Sequence, residues 1–188
     1  MIELFLRHIR FIRSLNTSIG LSLLLAFMLY SCDSKSSDKS EKPNNRNLKE
    51  SLIKANQYMT RSEDAAIDDY IVRHQLSMSK TKTGLRYRII KKGSGPQALA
   101  GKLVSIEYLI RLVSGDTLYT SAHDGLKSFV LGKAAEISGL EEGIFLLQQG
   151  DEAKFIIPSH LAFGLAGDDI KVPRKATLLY DVKIVKVK

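Results

Sequence analysis

The feature that most constrains this chain is a change of period at Thr83. Before it, apolar residues recur at helical spacing. After it, they alternate with polar residues in short runs broken by glycine turns. Leu85, Tyr87 and Ile89 alternate with Arg86, Arg88 and Ile90, and Gly93-Ser94-Gly95-Pro96 ends that run. The stretch Leu103–Leu112 puts Val104, Ile106, Tyr108 and Ile110 on one face. Ser114-Gly115-Asp116 is a turn, Leu118-Tyr119 a short strand, and His123-Asp124-Gly125 reads as another turn. Phe129-Val130-Leu131 stops at Gly132, and residues 153–157 stop at Pro158. Residues 177–187 carry Leu178, Tyr180, Val182 and Ile184 on one face. One helix interrupts the strands, over residues 137–147, with Leu140, Ile144 and Leu147 at i, i+4 and i+7. The fold class that follows is α+β: a mostly antiparallel sheet with one short helix on its inner face.

The N-terminal part is organised differently. Arg7, His8, Arg10 and Arg13 form a basic stretch, followed by an apolar run over residues 19–30. A bilayer span needs about 20 apolar residues, so this run fits a secretory leader better. It ends at Leu29-Tyr30-Ser31-Cys32, and Cys32 is the chain's only cysteine. A small residue before a lone cysteine predicts a lipoprotein signal peptide over residues 1–31, with Cys32 lipidated and the chain anchored to a membrane in the cell envelope. Residues 32–47 hold nothing that could fill a core and predict a disordered tether. Residues 48–80 predict a helical extension in two pieces. Leu48, Leu52, Ala55 and Met59 mark the first. Ser62 caps the second, with Glu63 and Asp64 in its first turn and Ile67, Tyr70, Ile71 and a half-buried His74 on one face. Two readings stay open: the helices pack on their own domain or each other, or they form an arm joining two copies in a homodimer.

Several chemistries are excluded. The formal charge is +8, but the basic residues are dispersed rather than gathered into a stripe, and an exported chain is a poor candidate for binding nucleic acid. There is no glycine-rich phosphate loop, no zinc-type Cys/His spacing and no G-x-S-x-G, so neither a metal nor a cofactor is expected. Asp168-Asp169 reads as a solvated turn. Glu141-Glu142 point about 100° apart on a helix and read as partners of its dipole rather than as an acid pair.

Four short signatures remain. They are Tyr108 in its alternating strand, Gly139-Leu140-Glu141-Glu142-Gly143, Ala162-Phe163-Gly164, and Ala176-Thr177-Leu178 leading to Asp181-Val182. In this order and spacing, residues 83–188 resemble the FK506-binding-protein (FKBP) family of peptidyl-prolyl cis-trans isomerases. With the lipidated leader, the chain resembles FKBP-type lipoproteins associated with gliding motility. The resemblance implies a curled antiparallel sheet wrapped on one short helix, and an isomerase acting on proline-containing, unfolded or partly folded polypeptides. Rotation about X-Pro passes through a twisted amide that has lost its resonance and is less polar than the planar form. An apolar, aromatic-lined cavity favours that state by differential binding, without acid-base work.

The resemblance also implies the site. Tyr108, Ile137, Leu140, Phe163 and Tyr180 would be the catalytic residues, with the Ile137 backbone N–H as a donor and Leu140 as the pocket floor. Leu118, Tyr119, Phe129 and Val172 would bind substrate. The chain departs from the family pattern at five positions. Tyr119 stands where the family has a pocket aspartate, with Leu118 in place of an aromatic. Phe163 lacks a common hydroxyl, Lys127 replaces an aromatic, and Lys171 replaces an apolar residue. These departures predict reduced activity or altered preference. They also motivate the alternative of a non-catalytic binding or chaperone module on the same fold.

Overall fold

The computed structural model describes residues 45–188. The predicted leader, Cys32 and most of the predicted tether lie outside the described residues. Chain order is helix α1 (Asn45–Arg73), strands β1 (Ser79–Lys80), β2 (Arg86–Lys91), β3 (Leu103–Leu112) and β4 (Thr117–Thr120), helix α2 (Ser121–Asp124), strand β5 (Lys127–Val130), helix α3 (Ser138–Phe145), strand β6 (Glu152–Ile157), a 3-10 turn (Ser159–Leu161), and strand β7 (Leu178–Val187). All pairings are antiparallel, in the order β1-β2-β6-β7-β3-β4, with β5 also paired to β3. Two long strands, β3 and β7, form the centre, in register from Val104–Val187 to Leu112–Leu178 across one bulge. Their inward residues Val104, Ile106, Tyr108 and Ile110 meet Leu178, Tyr180, Val182 and Ile184, all buried. The predicted α+β fold of a curled sheet on one short helix is what the chain adopts.

Helix α3 lies close to β6 because its two glycines face the sheet. A Cβ on Gly139 would stand 2.4 Å from Ile157, and one on Gly143 would stand 2.7 Å from the Phe155 ring. The i, i+4 spacing of G-x-x-x-G places both glycines on one helix face. Leu140 and Ile144, the next residues round, are completely buried. Glu141 and Glu142 do more than complement the dipole. The Glu141 carboxylate accepts the Ala135 N–H at 3.1 Å, and Glu142 accepts the Thr83 hydroxyl at 2.8 Å. His123 and Asp124, expected in a turn, lie in one-turn α2, whose start is capped by Thr120.

The extension differs from its prediction: α1 is one continuous helix of 29 residues, with Ser62 in its interior. Nothing between residues 48 and 73 breaks a helix, since the stretch holds neither glycine nor proline. The hydroxyls of Ser51 and Thr60 bond back to the carbonyls of Asn47 and Asn56 and leave the helix intact. Glu63 and Asp64 are therefore not first-turn residues; they reach to the domain. Asp64 and Asp68 both lie 2.7 Å from the Arg86 guanidinium, which is 1% exposed. Its cross-strand neighbour Ile156 is buried too, as is Ile67 on α1. The C-terminal part of α1 thus docks on its own domain. Leu48, Leu52 and Ile53 in the N-terminal part stay exposed. His74, expected half-buried, is exposed and stacks on Tyr70 with ring centroids 3.9 Å apart.

A candidate aromatic pocket

The candidate site is assembled from β3, β7, the start of α3 and the segment between the 3-10 turn and β7. Tyr108 projects inward from β3, and its N–H donates to Ser121 Oγ at 3.1 Å. Tyr180 projects from β7, opposite Ile110. Both are buried, yet among the described residues neither hydroxyl has a hydrogen-bond partner or is sealed from solvent. A buried phenol in that state presents its polar tip to whatever fills the pocket. Burial raises the Tyr108 pKa, helped by the Asp124 and Glu136 carboxylates. Burial also pushes Tyr180 well up, with Glu136, Tyr108 and Tyr119 adding to the effect. These phenols are hydrogen-bond donors, not bases, throughout the neutral range.

Ile137 caps α3 with an extended backbone, φ −59° and ψ 142°, and its carbonyl accepts from Leu140 N and Glu141 N. Its own N–H has no acceptor among the described residues. A donor left unpartnered at a helix start can hold a carbonyl. Leu140, expected as the pocket floor, has no exposed surface and packs in the hydrophobic core. Phe129 on β5 faces Val104 across the strands and is buried. Phe163 is half-buried against the same core.

Three of the departures, Tyr119, Lys171 and Lys127, make their own structure. The Tyr119 hydroxyl donates to Asp168 Oδ2 at 2.5 Å. Asp168 Oδ1 accepts the N–H groups of Ile170 (3.0 Å), Lys171 (2.8 Å) and Val172 (2.6 Å). Asp168 is therefore no solvated turn residue. One carboxylate gathers the turn that presents Val172, which is 5% exposed, and ties it to β4. Burial alone would raise the Asp168 pKa, but the Tyr119 hydroxyl and the three N–H groups outweigh it and hold the carboxyl at about 2. The same bond pushes Tyr119 up to about 12. Lys171 Nζ sits 4.7 Å from the Tyr119 ring centroid and donates to the Leu118 carbonyl at 3.0 Å. Lys127 Nζ lies 5.5 Å from the Tyr108 ring centroid and pairs with Glu136 at 2.9 Å. Both lysines use ring faces, as cations do beside aromatics.

The structure thus joins Tyr108, Tyr180, Tyr119, Leu118 and Val172 through bonds and short-range electrostatics, and Ile137, Leu140, Phe129 and Phe163 pack in or against the same core cluster. Glu136 and Asp168 are the groups sequence reasoning missed. Asp168 carried a readable signal, an aspartate two to four residues before backbone N–H groups it can gather. Its tyrosine partner is 49 residues away and left no local trace. Among the described residues there is no metal-binding cluster and no helix long and apolar enough to cross a membrane.

Comparison with known proteins bears on the same region. The sequence profile of the FKBP-type peptidyl-prolyl cis-trans isomerases matches residues 95–185. This part of the chain belongs to that family. The chain is 42% identical over 108 residues to a probable FKBP-type peptidyl-prolyl cis-trans isomerase, FkpA, of Neisseria meningitidis serogroup B, a match covering 57% of this chain and 39% of that protein. The chain spans 20–40% of the length of the curated relatives it matches. The crystal structure of FkpA from Escherichia coli superposes with a TM-score of 0.60 at 25% identity, covering 92% of this chain and 82% of that one. That overlap takes in more than the FKBP-type domain. The crystal structure of AtFKBP13 superposes with a TM-score of 0.56 at 26% identity, covering 60% of this chain and 99% of that one.

Proposed function

We propose that the protein is a working peptidyl-prolyl cis-trans isomerase that helps extracytoplasmic polypeptides fold. The observation that carries this reading is the pair of buried phenols, Tyr108 and Tyr180, whose hydroxyls have no partner among the described residues and which share one core cluster with Ile137 and Phe163. An X-Pro segment enters with its proline over Leu140 and between the rings. The Ile137 N–H holds the carbonyl, while Phe129, Phe163, Leu118 and Val172 supply apolar walls. The twisted amide is the less polar form and gains most from such walls. Tyr119 contributes by holding Asp168 rather than by touching charge on the substrate.

The organisation proposed around this domain is a signal peptide over 1–31, lipidated Cys32 anchoring the chain in the cell envelope, a tether from Cys32 to the start of α1, the helical extension, expected over 48–80 but ending at Arg73 because Ser79–Lys80 joins the sheet as β1, and the isomerase domain over 83–188. The exposed Leu48, Leu52 and Ile53 keep open a homodimer through the extension. The deciding test is a protease-coupled assay on short X-Pro peptides with residues 33–188. A rate rising linearly with protein and falling in Leu140→Ala supports a working pocket; an uncatalysed rate from a folded sample overturns it. Loss of Cys32 by Cys32→Ala should release the full chain from the membrane pellet, and retention there sinks the anchor.

One observation favours the second reading, a non-catalytic binding module. A cavity of about 760 Å³ lies away from the phenols, between α1 and the segment before β7, lined by Met59, Glu63, Leu112, Leu165 and Ala176 among others. In that reading, client binding would survive Leu140→Ala and be lost on deletion of residues 48–80.

A further inference from the structure

The segment over residues 159–177 carries Phe163, Asp168 and Val172, and so supplies one whole side of the pocket. Its far end is fastened by the Tyr119–Asp168 bond. Its base is fastened by a residue outside the FKBP-type domain. Glu63 of α1 accepts the Ser159 N–H at 2.7 Å and the Thr177 hydroxyl at 2.6 Å on Oε1, and the Ser159 hydroxyl at 2.8 Å on Oε2. Ser159 is the first residue of the segment and Thr177 the last. One carboxylate therefore closes a loop whose ends are 18 residues apart in sequence. Both partners are buried, at 8% and 9% exposure, and Glu63 is itself half-buried. Hydrogen bonds to an ionised acceptor in such a place are stronger than neutral ones.

The contacts inside the segment carry that closure forward. Gly164 N donates to the Ser159 carbonyl at 2.8 Å, and Lys175 N donates to the Gly164 carbonyl at 2.9 Å. The position of Ser159 thus sets Gly164, next to Phe163, and Lys175 on the return limb. Gly167 approaches Val172 so closely that a Cβ would stand 2.3 Å from its carbonyl oxygen. A segment so internally bonded moves as a piece about its base, and Glu63 holds the base.

We propose that Glu63 is a positioning residue for the prolyl-isomerase pocket: the helical extension sets the placement of the Phe163–Val172 wall, and through it substrate turnover. This rests on the isomerase reading above. It makes the extension part of the site's machinery, coupled by a defined contact rather than by proximity. The helix has other attachments, through Arg86 with Asp64 and Asp68 and through buried Ile67, so loss of the Glu63 carboxylate leaves it docked.

The test uses the full chain and two readouts. In Glu63→Ala, amide exchange at Gly164, Lys171, Val172 and Lys175 should speed up while exchange in β3 and β7 stays as in the unaltered protein. kcat/KM on X-Pro peptides should fall about two- to thirtyfold. Ser159→Ala with Thr177→Val removes the hydroxyls from the other side. In that background Glu63→Ala should add less than it does alone, because part of the contact is already gone. Unchanged amide exchange in Glu63→Ala overturns the proposal. So does faster exchange with unchanged kcat/KM, or an undiminished Glu63→Ala effect in the double variant. If the unaltered protein shows no isomerisation, the isomerase reading fails, and the exchange measurement still decides whether Glu63 positions the segment.

Discussion

Gly143→Ala tests the packing that sets the start of α3. An ideal Cβ at this position stands 2.7 Å from both Cε2 and Cζ of Phe155 and 3.1 Å from Cδ2. Carbon atoms in ordinary contact sit at about 3.5–4.0 Å, so either the helix retreats by about 0.8 Å or the ring leaves its rotamer. Phe155 is 1% exposed and lies opposite Tyr180 in the β6–β7 pairing, so it has little room to move. Overpacking of this kind costs about 1–3 kcal/mol, against which alanine regains about 1 kcal/mol of helix propensity. The expected result is a net loss of up to about 2 kcal/mol, read as a lower urea midpoint at unchanged m. Retreat of the helix also carries the Ile137 N–H away from its position. A 1 Å misplacement can cost as much as a hundredfold, and about a tenfold drop in kcat/KM is expected here. Phe155→Leu removes the two clashing atoms, so in that background the alanine should cost less by at least about 0.5 kcal/mol. A Gly143→Ala protein as stable as the unaltered one, with the Phe155 background making no difference, refutes the close-packing argument.

Further outcomes follow from the other contacts. Tyr119→Phe removes a charge-assisted hydrogen bond from a half-exposed site, for a loss of about 1 kcal/mol after solvent screening. Asp168 is held at about 2, below its ordinary value of 3.8, so its contribution is complete above 3.8 and is lost as pH falls through 2. In Tyr119→Phe that loss should begin at less acid pH, visible in the Val172 amide shift; an unmoved titration contradicts the Tyr119–Asp168 assignment. Arg86→Ala strands Asp64 and Asp68, and because both are partly exposed it should cost about 2 kcal/mol rather than the full 3–5 of a buried pair. It should also open α1 to protease, and equal resistance counts against docking through Arg86. Tyr108 and Tyr180 lie above the ordinary phenol value, so turnover should be flat from about pH 6 to 9. An inflection near neutrality points to acid-base chemistry instead.

The sheet was legible because its cause is local. Leu103–Leu112 matches its predicted limits, since Val104 to Ile110 alternate without interruption between glycine turns. Residues 178–187 were readable for the same reason, and helix α3 for its i, i+4, i+7 apolar spacing. The division of the extension into two helices failed because a Ser-Glu-Asp run looks the same whether it caps a helix or crosses its middle. The deciding contacts, from Glu63 to residues 96 and 114 positions away, have no local signature. Arg86 was misleading in a similar way. Alternation placed it outward, which is correct, but that part of the outer face lies under α1. At the candidate site, the aromatic residues were visible through spacing, whereas the carboxylates that hold them were not.

That asymmetry follows from the kind of chemistry the pocket is suited to. A reaction that turns on lowering the polarity around an amide needs few charged groups near the scissile-free bond, and the described carboxylates nearby are spent on other groups. Glu141 holds the turn before α3, Glu136 pairs with Lys127, Asp168 gathers the Val172 turn, and Glu63 closes the base of the same segment. Glu141, Asp168 and Glu63 fix backbone, and Glu136 holds the Lys127 ammonium against the Tyr108 ring. Replacing the family's pocket aspartate by Tyr119 is consistent with this division of labour. The tyrosine moves the local negative charge from the pocket to Asp168, where it organises a wall. If the proposed isomerase reading holds, the Tyr119 departure that weighed against catalysis in the sequence is a second way of fixing the Val172 wall.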